Sequence, residues 1–214
     1  MFGIFKKDRE SASNRSAGYT RHSRGWVDLL KQLQTRESLR VLDFGATSPS
    51  NINYLTSLGH SVYMSNVVQD ASRADWLKPL DPDAPKGAAQ EFDVQAFVAQ
   101  NLDFSGREFD VILLWDTANY LPPALVPALF QRLREVLQPG GYLLAFFHSK
   151  KEGPETVFSR FQLTESDSLL VLESDPFPVL QIYQTRQVEK FLEGYSSVRF
   201  FLGKDNVREV LAIR

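Results

Sequence analysis

Three apolar runs in this chain end on side chains able to do chemistry. Val41-Leu42-Asp43-Phe44-Gly45 closes on a carboxylate and a glycine, and Ser48-Pro49 follows as a helix start. A glycine at such a turn lets main chain come close to a ligand, and a strand, an acid, a glycine and a helix in that order suggest a nucleotide-cofactor fold. Phe109-Asp110-Val111-Ile112-Leu113-Leu114-Trp115 runs into Asp116, and residues 142–147 run into His148. An imidazole titrates near neutral pH, so His148 is a candidate general base. A polar strand end accounts for His148 equally well. After Gly45, the positions where a dinucleotide loop usually carries glycine hold Thr47 and Pro49. A nicotinamide oxidoreductase needs G-x-G-x-x-G here and usually an acid after the next strand, and the chain has neither.

The elements that position these groups follow from periodicity. Ser23 can cap a helix with Trp26, Val27, Leu29, Leu30 and Leu33 mainly on one face. Residues 40–44 read as a strand. Ser48-Pro49 then caps a helix bearing Ile52, Leu55 and Leu58, which Gly59 ends in a left-handed conformation. Residues 62–64 read as a second strand, and short connections favour a parallel pair. Residues 69–90, rich in Asp, Pro and Ala, read as mostly loop with one weak helix and with Trp76, Leu77 and Leu80 buried. Residues 92–98 are assigned a third strand. The near-continuous apolar run 109–115 reads as a central strand buried on both faces. Residues 122–137 form the clearest helix, stopped by Pro139-Gly140-Gly141 before a strand at 142–147. Two short strands without an intervening helix are expected at 158–163 and 169–172, as an inserted hairpin or cap. A short helix follows at 187–192, and 198–202 with 207–213 flank a turn at 203–206 as an antiparallel hairpin. Alternating strands and helices make the class α/β.

Composition narrows the function classes. At 214 residues with 43% apolar residues, the chain supports one globular domain. Its net charge of −2, from 24 basic and 26 acidic side chains, gives no electrostatic footprint for nucleic acid. Zero cysteines exclude disulfides and thiolate chemistry and fit a reducing, cytoplasmic setting. Three scattered histidines give no metal-ligand spacing. No apolar run is long enough to span a bilayer, and the first seven residues lack the apolar centre of a signal peptide. Phe2, Ile4 and Phe5 beside Lys6 and Lys7 are too few for stable membrane association. Residues 1–20 read as a flexible tail, and the charges at 203–209 as a solvated turn. An apolar edge near Phe200 and Phe201 offers a strand for pairing with another chain, and oligomeric state stays open.

Val41-Leu42-Asp43-Phe44-Gly45, the run 109–115, and 133–147 with Leu137-Gln138-Pro139-Gly140-Gly141 inside it, in that order, resemble the class I S-adenosylmethionine-dependent methyltransferases. The resemblance implies a Rossmann-like three-layer sandwich: a mostly parallel sheet with a C-terminal antiparallel hairpin, spanning residues 21–214. It implies S-adenosyl-L-methionine as cofactor and methyl transfer to a small-molecule acceptor. It places the cofactor at Asp43, Gly45, Asn66, Asn101, Asp103, Trp115 and Asp116, with Gly45 at the point of closest approach and Asp43 near the amino-acid moiety. Asn66 stands where the family has a ribose-binding acid, and Asn101 or Asp103 falls at the adenine position. A surface loop accounts for Asp103 as well, and a capping acid beside a packed indole for residues 115–116. Residues 152–185 are expected to be an insertion or substrate-facing segment. The Thr47, Pro49 and Asn66 departures motivate an alternative, a catalytically inactive methyltransferase-like fold serving as a binding or regulatory module.

Overall fold

Side-chain alternation along the central strands gives this protein a sheet with two buried faces. A computed structural model describes residues 18–46, 48–80, 82–83, 85, 87–151, 157–174, 176–203 and 205–214. Thr47, most of the expected tail (1–17, with the Phe2 to Lys7 segment), Lys204, Asp175 and residues 152–156 lie outside that set.

In chain order the elements are β1 (Tyr19–His22), α1 (Arg24–Thr35), β2 (Arg40–Asp43), α2 (Pro49–Ser57), β3 (Ser61–Met64), α3 (Val67–Ala71) and α4 (Val94–Asn101). There follow β4 (Phe109–Trp115), α5 (Val126–Val136), β5 (Leu137–His148), β6 (Ser159–Gln162), β7 (Ser168–Glu173), α6 (Thr185–Phe191), β8 (Ser197–Leu202) and β9 (Val207–Ile213). The large sheet has the order β3-β2-β4-β5-β9-β8. Strands β3, β2, β4 and β5 are mutually parallel, and β9 and β8 join antiparallel. The α/β class, the mostly parallel sheet and the terminal hairpin are those expected from the sequence.

Successive side chains on a strand point to opposite faces. Leu42, Ile112, Leu114, Leu143, Ala145 and Phe147 pack with Phe97 of α4, Leu129, Phe130 and Leu133 of α5, and Val188 of α6. Val41, Val111, Leu113, Leu144 and Phe146 pack with Trp26, Leu29 and Leu33 of α1 and Leu55 of α2. The second core also takes in Phe161, Leu169 and Val171 of a small antiparallel sheet, β1-β7-β6. The expected hairpin at 158–172 is therefore present, and it gains a third strand from Tyr19 and Thr20, residues assigned by sequence to the tail.

Local chemistry fixes the helix starts. Ser23 Oγ accepts from Trp26 N at 3.1 Å, and Ser48 Oγ accepts from Asn51 N at 3.3 Å with Pro49 behind it. Gly59, at φ +83°, ends α2 as expected.

Three expectations are corrected. Residues 92–98 form no third strand; Asp93 caps α4 by accepting from Ala96 N at 3.0 Å, and Val94, Phe97 and Val98 make a helical stripe. The only extended pairing there, among the described residues, is a single bridge between Leu77 and Phe92. Trp76 is buried, but Leu77 and Leu80 are 41% and 49% exposed, because the segment lies along the surface. Glu209 is not a solvated turn charge: it is buried against Arg21.

Candidate active site

The carboxyl ends of β2, β4 and β5 lie side by side, because Asp43 is in register with Leu113, and Trp115 with Ala145. Two polar constellations occupy this rim.

The first is built on Asp43. Its Oδ1 accepts from Trp115 Nε1 at 2.6 Å and its Oδ2 from Asn51 Nδ2 at 3.1 Å. The carboxylate is 1% exposed, and burial pushes its pKa up to about 6, against the two hydrogen bonds, which act to lower it. Trp115 reaches it from the neighbouring strand through a left-handed backbone, φ 51°, which a residue with a bulky side chain rarely adopts. The indole stacks on Phe161 of β6, with centroids 5.1 Å apart and planes 12° apart, and packs against Phe146 at 5.6 Å. The pyrrole edge of the indole lies close to Gly45: a Cβ there would stand 3.1 Å from Trp115 Cδ1 and 3.4 Å from Nε1. Asn51 also fastens β6, donating to Phe161 O at 2.9 Å and accepting from Leu163 N at 2.9 Å.

The second constellation joins the ends of β4 and β5. His148 Nε2 lies 3.1 Å from Asp116 Oδ2 and 3.1 Å from Tyr120 Oη. Asp116 and His148 are each 1% exposed and Tyr120 is 4% exposed. With the Nε2 proton facing the carboxylate, Nδ1 carries the free lone pair. Among the described residues Nδ1 has no hydrogen-bond partner, and neither has Asp116 Oδ1. Burial and the neighbouring Asp116 hold the Tyr120 hydroxyl well above its ordinary pKa, so it stays protonated and its O–H serves the Asp116 carboxylate, not the protonated Nε2. Asn119 braces the cluster: its Oδ1 accepts from His148 N at 3.0 Å, while its Nδ2 donates to Gln181 O at 2.7 Å. The Phe158 ring covers Tyr120 at 5.0 Å and meets Phe177 at 5.4 Å.

Of the residues singled out by sequence, Asp43, Gly45 and Trp115 thus come together, as do Asp116 and His148. Asn66, Asn101 and Asp103 do not join either group. Asn66 caps α3, accepting from Gln69 N at 3.4 Å. Asn101 donates to Phe97 O of its own helix at 3.1 Å. Asp103 is exposed, and its main-chain oxygen accepts from Arg132 at 2.7 Å. Asn51 and Phe161 were missed. The contact between them joins residues 110 positions apart, and no local pattern marks it. Among the described residues no cluster of His, Cys, Asp or Glu is arranged to hold a metal ion.

A family model described as "Methyltransferase domain" matches residues 18–152. No curated protein matches the chain. Solved structures of similar architecture include TehB from Haemophilus influenzae, at 16% identity and a TM-score of 0.49, over 88% of this chain and 61% of that one. Magnesium protoporphyrin IX methyltransferase (ChlM) from Synechocystis PCC 6803 with bound SAM is 15% identical with a TM-score of 0.48, over 88% of this chain and 77% of that one. DesVI from Streptomyces venezuelae is 14% identical with a TM-score of 0.48, over 88% of this chain and 90% of that one. This chain therefore spans 61% of the length of the Haemophilus protein.

Proposed function

Because the chain belongs to the methyltransferase-domain family and its motifs resemble those of the class I S-adenosylmethionine-dependent enzymes, we propose that it transfers a methyl group from S-adenosylmethionine to a small-molecule acceptor. The observation that carries this reading is the buried cluster of Asp116, His148 and Tyr120 on the rim of the parallel sheet. When bound, the cofactor supplies an electrophilic methyl group.

The chain's own residues serve the acceptor. His148 Nδ1 is as enclosed as Asp43, so the acceptor must first open the cluster; Nδ1 then takes the proton of its O–H or N–H, and the imidazolium formed is held by the Asp116 carboxylate at Nε2. Tyr120 keeps its own proton and fixes the imidazole orientation. Burial of all three excludes water from the proton transfer. Acceptor choice is assigned to the described residues of the 152–185 segment, since Phe158 packs against Tyr120, Phe177 backs Phe158, and the main chain at Gln181 accepts from Asn119. The near-balance of 24 basic and 26 acidic residues supports a small molecule over nucleic acid, and the cysteine-free sequence supports a cytoplasmic setting.

The methionine end of the cofactor does not fit the rim as it stands. Asp43 is enclosed and Trp115 lies against Gly45. That contact favours a second reading, a methyltransferase-like module that binds a partner without catalysis. Calorimetry with S-adenosylmethionine and S-adenosylhomocysteine, followed by an assay for S-adenosylhomocysteine formation over a panel of small phenols and amines, tests the proposal. Failure of both cofactor forms to bind at millimolar concentration, in the native chain and in Trp115→Ala, sinks it in favour of the module.

A further inference from the structure

The place expected for the cofactor's methionine end is built, and the protein itself fills it. The indole of Trp115 lies against the Cβ side of Gly45 and donates to Asp43, the two positions expected to meet the cofactor's close approach and its amino-acid moiety, whose ammonium group a carboxylate can pair with. At 1% exposure, with its second oxygen held by Asn51, the Asp43 carboxylate offers an incoming cation no path. We propose that Trp115 is an internal competitor for Asp43, standing in the place of the cofactor's ammonium group and setting cofactor affinity, rather than a cofactor contact. The inference rests on the methyltransferase reading above.

Three features hold the competitor in place. The left-handed φ of 51° at Trp115 sets the indole against the end of β2, and such strained backbone persists only where its surroundings over-determine it. The ring packs in a triangle with Phe161 and Phe146, whose own centroids are 5.2 Å apart. Asn51 couples that stack to the carboxylate, because one side-chain amide serves Asp43, Phe161 O and Leu163 N together. Departure of the indole therefore requires β6 to give way. The cofactor has the means to win the exchange: an indole N–H is a neutral donor, whereas an ammonium makes a charge-assisted bond to a carboxylate, about twice as strong. The raised pKa of Asp43 is in keeping with a carboxylate that lacks its cation.

The test is calorimetric titration of S-adenosylhomocysteine into the native protein, Trp115→Ala, Trp115→Phe and Phe161→Ala, each checked for folding by circular dichroism and melting temperature. Trp115→Ala is expected to bind about tenfold tighter or better, the worth of roughly one competing hydrogen bond. Trp115→Phe, which keeps the ring but loses the N–H, and Phe161→Ala, which alters neither Asp43 nor Gly45, are expected to shift the same way; they decide the matter if Trp115→Ala does not fold. Saturating S-adenosylhomocysteine should also shift the tryptophan emission of the native protein to longer wavelength, and should leave Trp115→Phe unchanged over the background of Trp26 and Trp76. If the native protein binds and the folded variants bind no tighter, the competitor idea is overturned while the methyltransferase reading stands. If no protein binds at millimolar concentration, both fall.

Discussion

Arg21 on β1 and Glu209 on β9 form an ion pair of 2.6 Å in which each side chain is 3% exposed. The second carboxylate oxygen of Glu209 accepts from Ser23 Oγ at 3.0 Å and from Gly25 N at 2.8 Å, where a negative charge also complements the N-terminus of α1. Arg21 Nε reaches on to Asp205 at 2.6 Å. One carboxylate thus binds the small sheet, the first helix and the terminal hairpin together.

Removing one partner of a buried pair strands the other charge, at a cost of about 3 kcal/mol or more. Glu209→Ala is therefore expected to lower stability by that amount in urea denaturation. Asp205→Ala, whose side chain is 29% exposed, should cost well under half as much. Equal losses from the two variants would contradict the assignment of Glu209 as the buried anchor.

Asp43 makes stability depend on pH in an unusual direction. Burial raises its folded pKa to about 6 from an ordinary 3.8, so between those values the native state holds the proton more tightly than the unfolded chain. The contribution is fully present below about pH 4 and is lost as pH rises through about 6. Asp43→Asn removes this titration. Native stability relative to the variant should fall by on the order of 2 kcal/mol between pH 4 and 7, read from urea curves at successive pH values. A constant difference across that range would refute the enclosure of Asp43.

How much of this was legible beforehand depends on how local each signal is. The runs 41–45, 109–115 and 142–147 announced their strands because burial on both faces leaves a continuous apolar record, and Ser48-Pro49 with Gly59 bracketed α2 by capping chemistry. Residues 92–98 misled because a short apolar segment fits either period; the Asp93 cap decides it. Glu209 looked solvated because its partner Arg21 lies near the other end of the sequence. The grouping of Asp43, Gly45 and Trp115 was visible as residues on a common rim, but not the direction in which Trp115 turns. That depends on a positive φ and on Phe161, neither of which local pattern records.

For His148, the proposed proton acceptor, His148→Ala should reduce methyl transfer about 100-fold. Added imidazole should restore part of the rate, a response that a purely structural defect would not show. Melting temperature separates misfolding from chemistry. Undiminished activity in a folded His148→Ala protein would remove the residue from the mechanism.

The hydroxyls of Tyr183 and Tyr195 are buried without a hydrogen-bond partner among the described residues. Burial pushes the Tyr183 pKa up to about 12 and raises that of Tyr195. Since an unsatisfied buried hydroxyl is a cost, Tyr183→Phe and Tyr195→Phe should each leave stability unchanged or raise it by up to about 1 kcal/mol. A clear loss in thermal denaturation would reveal a partner for that hydroxyl.

The small sheet has one more consequence, for the order of folding. Its β1 to β7 ladder pairs Tyr19 with Val171, so it closes a loop around nearly the whole of the parallel core and joins residues far apart in the chain. Such non-local pairing forms late, and although Leu169, Val171 and the Arg21–Glu209 pair tie it down, a three-stranded sheet of short strands is expected to open before the six-stranded one. Its amides should exchange with solvent through an opening that leaves β2, β4 and β5 protected. That opening takes Phe161 away from Trp115 and uncovers Asp43 while the fold persists. If the open form is the one that takes cofactor, the free energy of this partial unfolding subtracts directly from the observed affinity.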